Sequence, residues 1–289
     1  MQLTTEGVDV QERGEYPAGV PCLIDTGRKD PEAALAFYGG LFGWEFEDVS
    51  PGGALRYFIA KLNGLLVAAV GGQPDMDWPP VWNTYVRVED ADAAAVQVSE
   101  AGGTVTMPPF AVGPAGRMVA FNDPEGASLW LWEPGQTRGA QLVNDPGAWV
   151  FSTLHTGDRS GAEAFYGALF GWTLGPADDD GSAMVMKPGY QDFLAQADPD
   201  LPARLEEFQA PEGFGDVVAS LLPVADGEAA AWDVTFSVED ADATAKRATE
   251  LGGEVVVAPF DAPWVRVAVL RDPDGVVFTA SQFVPPAAG

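Results

Sequence analysis

Nine residues at 36–44, Ala-Phe-Tyr-Gly-Gly-Leu-Phe-Gly-Trp, return at 164–172 as Ala-Phe-Tyr-Gly-Ala-Leu-Phe-Gly-Trp with one exchange. Such a repeat constrains the fold more than any other feature of this chain, because both copies must build the same unit and bury it against a neighbour. A second pair confirms it. Val-Glu-Asp-Ala-Asp-Ala stands at 88–93 and again at 238–243. It is followed in register by Gly102-Gly103 and Gly252-Gly253, Pro109-Phe110 and Pro259-Phe260, then Asp123-Pro-Glu-Gly126 and Asp272-Pro-Asp-Gly275. Two homologous halves follow, each with two modules. The offset grows from 128 (36 to 164) to 150 (88 to 238), which places an insertion in the second half at about 174–230.

Local rules order the elements within a module. Asp30 offers an N-cap with Pro31 at the first helical position; Ala34, Phe37, Tyr38, Leu41 and Phe42 share one helical face, and Gly43 supplies a left-handed stop. In the next module Asn83 to Val88 alternates as a strand. A helix starts near Asp90 and ends at Gly102, and short strands follow at Thr104 to Met107, Arg117 to Asn122 and Ala127 to Trp132. A tight turn at Asp123 to Gly126 joins the last two strands, and Gly113-Pro-Ala-Gly116 reads as a hairpin turn. The expected class is α+β, built of four βαβββ modules. The insertion holds Asp178-Asp-Asp180, a stretch from Pro199 to Glu207 with helical character and a Gly/Pro-containing run from Pro211 to Gly215. A connection, a lid over a cavity and a dimer contact are all open for it.

With 43 acidic against 15 basic residues the formal charge is −28, and 47% of the chain is apolar, ample for real cores. That charge repels phosphate backbones and anionic lipid, so neither nucleic acid nor membrane is an expected partner. No apolar run is long enough to span a bilayer, and residues 1–19 lack the apolar centre of a signal sequence; the expectation is a soluble, cytoplasmic protein. The single cysteine, Cys22, excludes an internal disulfide or a multi-thiolate metal site and reads as an inert buried thiol beside Pro21 and Leu23-Ile24.

In these motifs the chain resembles the vicinal oxygen chelate superfamily of glyoxalases, bleomycin-resistance proteins and extradiol dioxygenases, in particular its two-domain actinobacterial proteins labelled glyoxalases or hydroxylases. The carriers are an Asp before an amphipathic helix ending Phe-Tyr-x-x-Leu-Phe-Gly-Trp, and the Asp-Pro-x-Gly turn before the last strand. The resemblance implies glyoxalase-like domains at 20–135 and 148–284, with an extension at 1–19, a linker at 136–147 and a tail at 285–289. It also implies U-shaped sheets around a pocket in which metal-dependent members hold a divalent cation. Whether modules one and two close a domain together or exchange with four and three stays open, since the family shows both.

The resemblance places metal ligands at positions that here hold Leu23 and Phe151, then Asn83 and Asp233, then Trp130 and Thr279. For the fourth position Leu65 to Val70 has no acid, and Tyr190 to Leu194 has only Asp192. One histidine, His155, and one cysteine cannot furnish two sites of the kind iron or zinc takes. No metal or other cofactor is expected. If alternate strand residues face inward, Leu23, Asp25, Asn83, Tyr85, Ser128, Trp130 and Trp132 line the first pocket, and Phe151, Thr153, Asp233, Thr235, Thr279 and Ser281 the second. Aromatic walls with a few polar handles suit a small-molecule ligand; the alternative is a barrel plugged by its own side chains.

Asp25 with Tyr85, and Asp233, are candidate catalytic acid/base groups. Against this stands an Asp25 paired with Arg56 or Arg87, or turned to solvent. His155 reads as a surface or hydrogen-bonded residue. The expected function is metal-independent binding or sequestration of an aromatic or planar metabolite, by a monomer or homodimer. A metal-free acid/base enzyme of secondary metabolism or detoxification, and a scaffold with vestigial pockets, are the alternatives.

Overall fold

The computed structural model describes residues 12–50, 52, 55–75, 79–225 and 227–284. Module one runs β1 (Pro21–Arg28), α1 (Glu32–Phe42), β2 (Glu45–Asp48), β3 (Arg56–Leu62) and β4 (Leu65–Gly72). Module two runs β5 (Trp82–Arg87), α2 (Ala91–Glu100), β6 (Thr104–Val112), β7 (Gly116–Asn122) and β8 (Ser128–Pro134). Module three has β9 (Trp149–Thr156), α3 (Arg159–Phe170), β10 (Thr173–Leu174) and β11 (Ala183–Met186). The insertion then folds as α4 (Tyr190–Ala197), α5 (Leu201–Glu207) and a 3-10 turn at Phe214–Asp216 before β12 (Val217–Pro223). Module four has β13 (Ala231–Ser237), α6 (Ala241–Glu250), β14 (Glu254–Ala262), β15 (Val265–Arg271) and β16 (Val277–Phe283). No helix among the described residues is long and apolar enough to cross a membrane.

The modules join into two eight-stranded sheets, ordered β2-β3-β4-β1-β5-β8-β7-β6 and β10-β11-β12-β9-β13-β16-β15-β14. Antiparallel pairs β1·β5 and β9·β13 are the joints, so strand pairing links module one with two and three with four. The helix starts follow from their caps: Asp90 and Asp240 each accept the N–H three residues on at 2.9 Å. At α1 the helix begins one residue later than expected. Pro31 occupies the cap, and Asp30 instead accepts the Glu32 N–H at 3.2 Å. Gly43 and Gly171 stop α1 and α3 in the left-handed region at φ 75° and 69°. Strand β6 runs further than expected, to Val112. It is an edge strand, and its register shifts between Val105 and Met107 and between Met107 and Phe110 leave room for two prolines that cannot donate to a ladder. Asp192, the acid considered for a fourth ligand position, lies exposed on inserted helix α4; the late strand of module three is β12, further along the chain.

The sheets pack back to back. Thr84 on β5 and Ser152 on β9 meet oxygen to oxygen at 2.6 Å, both fully buried. The cores on either side of this contact each draw on both halves. One joins Phe37, Tyr38, Phe42 and Trp44 to Phe236 and Phe278; the other joins Val98, Phe121 and Leu129 to Phe165, Tyr166 and Trp172. Helix α1 thus packs on module four and α3 on module two. Each fully buried side chain of this size contributes roughly 1.5–3 kcal/mol of transfer free energy, so separating the halves would forfeit both cores.

The repeated motifs build this junction twice. Trp82 Nε1 donates to the Tyr38 hydroxyl at 2.9 Å, which donates to Asp272 Oδ2 at 2.9 Å. Trp232 donates likewise to Tyr166 at 2.9 Å, which donates to Asp123 Oδ2 at 2.8 Å. The other carboxylate oxygen of each Asp caps its own turn through the N–H of Ala127 or Val276. Trp44 and Trp172 donate to the carbonyls of Gly147 and Gly19, just ahead of the opposite half's first strand. In each Gly-Gly pair the second glycine sits under the other half's helix. A Cβ at Gly103 would lie 2.8 Å from Phe165, and one at Gly253 would lie 2.9 Å from Phe37 and 2.6 Å from the Arg271 carbonyl. Module one adds a buried ion pair, Arg28 to Asp272 at 2.7 Å. At the equivalent place in module three Thr156 donates to Glu125.

Candidate functional site

Back-to-back packing turns the inner faces of the sheets outward, and the strand registers bring the expected site residues together. On the first sheet Asp25 stands opposite Asn83, Leu23 opposite Tyr85, and Tyr85 beside Trp130. Asp25 is buried and accepts three hydrogen bonds: from Asn83 Nδ2 at 2.9 Å on one oxygen, and from the Tyr57 and Tyr85 hydroxyls at 3.0 and 2.9 Å on the other. The ion pairs weighed for Asp25 are not formed. Arg56 pairs with Glu32 and Asp48, and Arg87 with Glu89, exposed acids that lie near the strand ends where these arginines stand. Burial pushes the Asp25 carboxyl above its ordinary range, and the three donors hold that rise back. Burial beside Asp25 likewise drives the Tyr57 and Tyr85 phenols well up, keeping them as proton donors.

Sequence reasoning misses Tyr57. Its signal is the period-two alternation of Tyr57, Ile59 and Lys61 against buried Phe58 and Ala60 on β3. The Tyr85 ring lies 5.4 Å from that of Trp130 and edge-on to Trp132 at 6.2 Å. Leu23, Tyr85 and Trp132 are buried, Asn83 and Trp130 are half-buried, and Ser128 is exposed. The inner face is therefore partly filled by its own aromatics, and Trp130 and Asn83 are half-buried on it.

The second sheet is more polar and more open. Thr153 faces Asp233 across β9·β13, Phe151 faces Thr235, and Thr235 faces Thr279 on β16. Thr153 Oγ1 meets Ser220 Oγ at 2.7 Å. Phe151, Asp233, Thr235, Thr279 and Ser281 are all half-buried. His155 Nε2 lies 3.0 Å from Asp233 Oδ2, and that carboxylate raises the imidazole pKa. The histidine and the candidate base of this half are thus one pair at the strand end. Cys22 is fully buried, and burial drives its thiol up, as expected of an inert residue.

A cavity of about 170 Å³ adjoins the second sheet at Phe151 and is lined by neither Asp25 nor Asp233. Its walls come from Tyr16 and Val20 ahead of β1, from Phe151 and Val218 on the second sheet, and from Tyr190 and Leu205 on the inserted helices. Of the residues expected to bind ligand only Phe151 lines it. Sequence alone carries no signal that the segment around Arg13 and Tyr16 meets the insertion some 170 residues later.

The positions at which the resemblance places metal ligands carry Leu23, Asn83 and Trp130 in one half, and Phe151, Asp233 and Thr279 in the other. Alkyl, indole and phenyl groups cannot coordinate a dication, and a lone carboxylate with an amide or hydroxyl falls short of the donor sets iron and zinc require. Among the described residues no group of three or more His, Cys, Asp or Glu side chains could hold a metal ion. The residues present do not fit that metal.

Two eight-stranded sheets, each from a pair of βαβββ modules and each with an inner face carrying polar and aromatic side chains, define a tandem glyoxalase-like protein. The chain belongs to the glyoxalase/bleomycin resistance protein/dioxygenase superfamily. The model of that superfamily matches residues 24–131, and a glyoxalase-like domain model matches 149–281. The glyoxylase-named protein CFP32 of Mycobacterium tuberculosis is 38% identical over 279 residues, covering 95% of this chain and 98% of the relative. The anthracycline biosynthesis protein DnrV of Streptomyces peucetius is 35% identical over 292 residues, covering 95% and 98%. Among solved structures, the Mn(II)-bound glyoxalase of Novosphingobium aromaticivorans aligns with a TM-score of 0.59 at 16% identity, covering 92% of this chain and 82% of that one. The 2,3-dioxygenase LapB of Pseudomonas sp. KL28 aligns at 0.58 and 13%, covering 94% and 96%. At these identities the structural likeness speaks for the fold alone.

Proposed function

We propose that the chain binds a small aromatic or planar metabolite on the inner face of the first sheet, without a metal. The observation that carries this reading is the Asp25 carboxylate, held by Tyr57, Asn83 and Tyr85 beside the half-buried ring of Trp130. A planar ligand would stack on the indole while its hydroxyl or carbonyl exchanges hydrogen bonds with Asn83 and Asp25. The donor chemistry at the family's metal positions supports a metal-free mode. Kinship with a protein of anthracycline biosynthesis supports an aromatic ligand.

One observation favours a second reading, a metal-free acid/base enzyme. A buried carboxylate whose pKa is raised, next to two protonated phenols, is equipped to accept a proton from a bound ligand and to stabilise the resulting oxyanion. Titration with a hydroxyanthraquinone, followed by tryptophan fluorescence, tests both readings. Saturable quenching is expected, weakened roughly tenfold or more in Trp130→Ala through lost stacking and apolar contact. An affinity untouched by Trp130→Ala would remove the site from this sheet. Turnover that Asp25→Asn abolishes would select the enzyme; tight binding with no turnover selects sequestration.

A further inference from the structure

The insertion that sets the second half apart does more than connect strands. Helices α4 and α5 and the 3-10 turn close over one end of the second sheet, and the segment ahead of β1 closes the same space from the other side. The cavity, about 170 Å³, is open to one side and has an apolar wall of Phe151, Leu194, Leu205, Phe214 and Val218. An engineered apolar cavity of roughly 150 Å³ in another protein holds benzene, so this one is sized for a single aromatic ring.

Its polar side chains are Arg13, Tyr16, Tyr190, Trp149 and the amide of Asn144, and the only charge among them is positive. Arg13 lines the cavity, with its guanidinium over the rings of Tyr16 and Tyr190 at 5.5 and 5.9 Å, and it donates to the Tyr190 hydroxyl. Among the described residues no carboxylate pairs with it. That is notable in a chain with 43 acidic residues and only 15 lysines and arginines. A guanidinium has five N–H donors, and among the described residues one of these makes a side-chain hydrogen bond. The Tyr190 hydroxyl accepts from Arg13, and its own proton reaches no acceptor among the described residues. Trp149, also in the lining, has a buried indole N–H with no partner among the described residues. Tyr16 differs, its hydroxyl being committed to the Ala140 carbonyl at 2.8 Å. Donors left over on Arg13 and Tyr190, a cation with no carboxylate partner among the described residues and a ring-sized cavity with an apolar wall suit an aromatic ligand that carries negative charge.

We infer that this cavity is a second ligand site, separate from the Trp130 face, that takes a single-ring aromatic carboxylate with its carboxylate on Arg13 and Tyr190 and its ring between β9, β12 and the inserted helices. The site needs the insertion, so the first half has no counterpart to it.

The test is calorimetric titration of the full chain with benzoate and with its neutral isostere benzamide. Benzoate is expected to bind at one site per chain and more tightly than benzamide. Arg13→Met should weaken benzoate by roughly 10- to 100-fold, the usual effect of losing a charge-assisted hydrogen bond, and leave benzamide nearly unchanged. Leu205→Trp, which fills the chamber and leaves Arg13 in place, should abolish both. Trp130→Ala should alter neither, which separates this site from the one proposed above. Absence of benzoate binding to the wild-type chain, equal affinity for benzoate and benzamide, or benzoate affinity that survives both Arg13→Met and Leu205→Trp would overturn the inference. If Arg13→Met loosens the N-terminal segment, Tyr190→Phe removes the second donor without touching the charge. It should then cost a smaller, separate part of the benzoate affinity, and no cost there also counts against the site.

Discussion

At the scale of single residues, the Asp25 carboxyl and the His155 imidazole beside Asp233 titrate away from their ordinary values for different reasons. Asp25 is held above the ordinary carboxylate range by burial, so the folded state takes up its proton more readily than the unfolded chain does. Stability from this group is fully present below the ordinary carboxylate pKa and is lost as pH rises through the shifted value. Asp25→Asn stays neutral throughout. Urea unfolding of both proteins from acid to neutral pH should therefore show the wild type losing ground to the variant as pH rises; a constant difference would mean the carboxylate is not desolvated. His155 has the opposite partner chemistry, since Asp233 raises its pKa by stabilising the imidazolium. Its contribution is complete below the ordinary imidazole value of about 6.5 and fades as pH climbs through the raised one. It is the chain's single histidine, so one imidazole resonance reports on it. The midpoint of that resonance should lie above the ordinary value and fall in Asp233→Asn; no movement would show that the pair does not form in solution.

At the scale of elements, the most conspicuous stretches of sequence turn out to be architectural. The Phe-Tyr-Gly and Leu-Phe-Gly-Trp repeats, the paired glycines and the Asp-Pro-x-Gly turns all converge on the junction between halves, where Tyr38 meets Asp272 and Tyr166 meets Asp123. Periodicity and capping made the strands and helices readable, because each is specified by neighbours three or four residues away. The inward faces were readable from strict alternation, which is why Leu23, Asp25, Asn83, Tyr85 and Trp130 do share one surface. Tyr57 and the wall around Arg13 were not, since each depends on which strand or loop lies alongside, and that is decided by tertiary packing. The glycine pairs supply an element-level test. Gly253→Ala pushes a methyl group to 2.6 Å from the Arg271 carbonyl and 2.9 Å from Phe37, so α1 or β15 must shift. Thermal melts should show a loss of about 1–3 kcal/mol, as for other overpacked sites. An unchanged melting temperature would mean the two halves are not in close contact there.

At the scale of the whole molecule, strand pairing and core packing run in different directions: sheets join module one to two and three to four, whereas the helices of one and three bury their aromatics in modules four and two. Each half therefore lacks a core of its own, and the chain should unfold in one cooperative transition. Asp272→Ala would strand the Arg28 guanidinium, which is 1% exposed, inside the junction. Breaking a buried pair from one side costs about 3–5 kcal/mol, read as a lower urea midpoint for both halves together; two separate transitions would contradict the interlocked arrangement. The repeated motifs that join the halves lie at this junction and not at the positions where the superfamily resemblance places metal ligands, which here include leucine, tryptophan and phenylalanine. The most direct measurement is the elemental content of the purified protein, combined with hydroxyanthraquinone titration before and after dialysis against a chelator. The expected result is substoichiometric metal and the same saturable binding on both sides of the dialysis. Stoichiometric iron, zinc or manganese, whose removal abolishes binding or turnover, would contradict it.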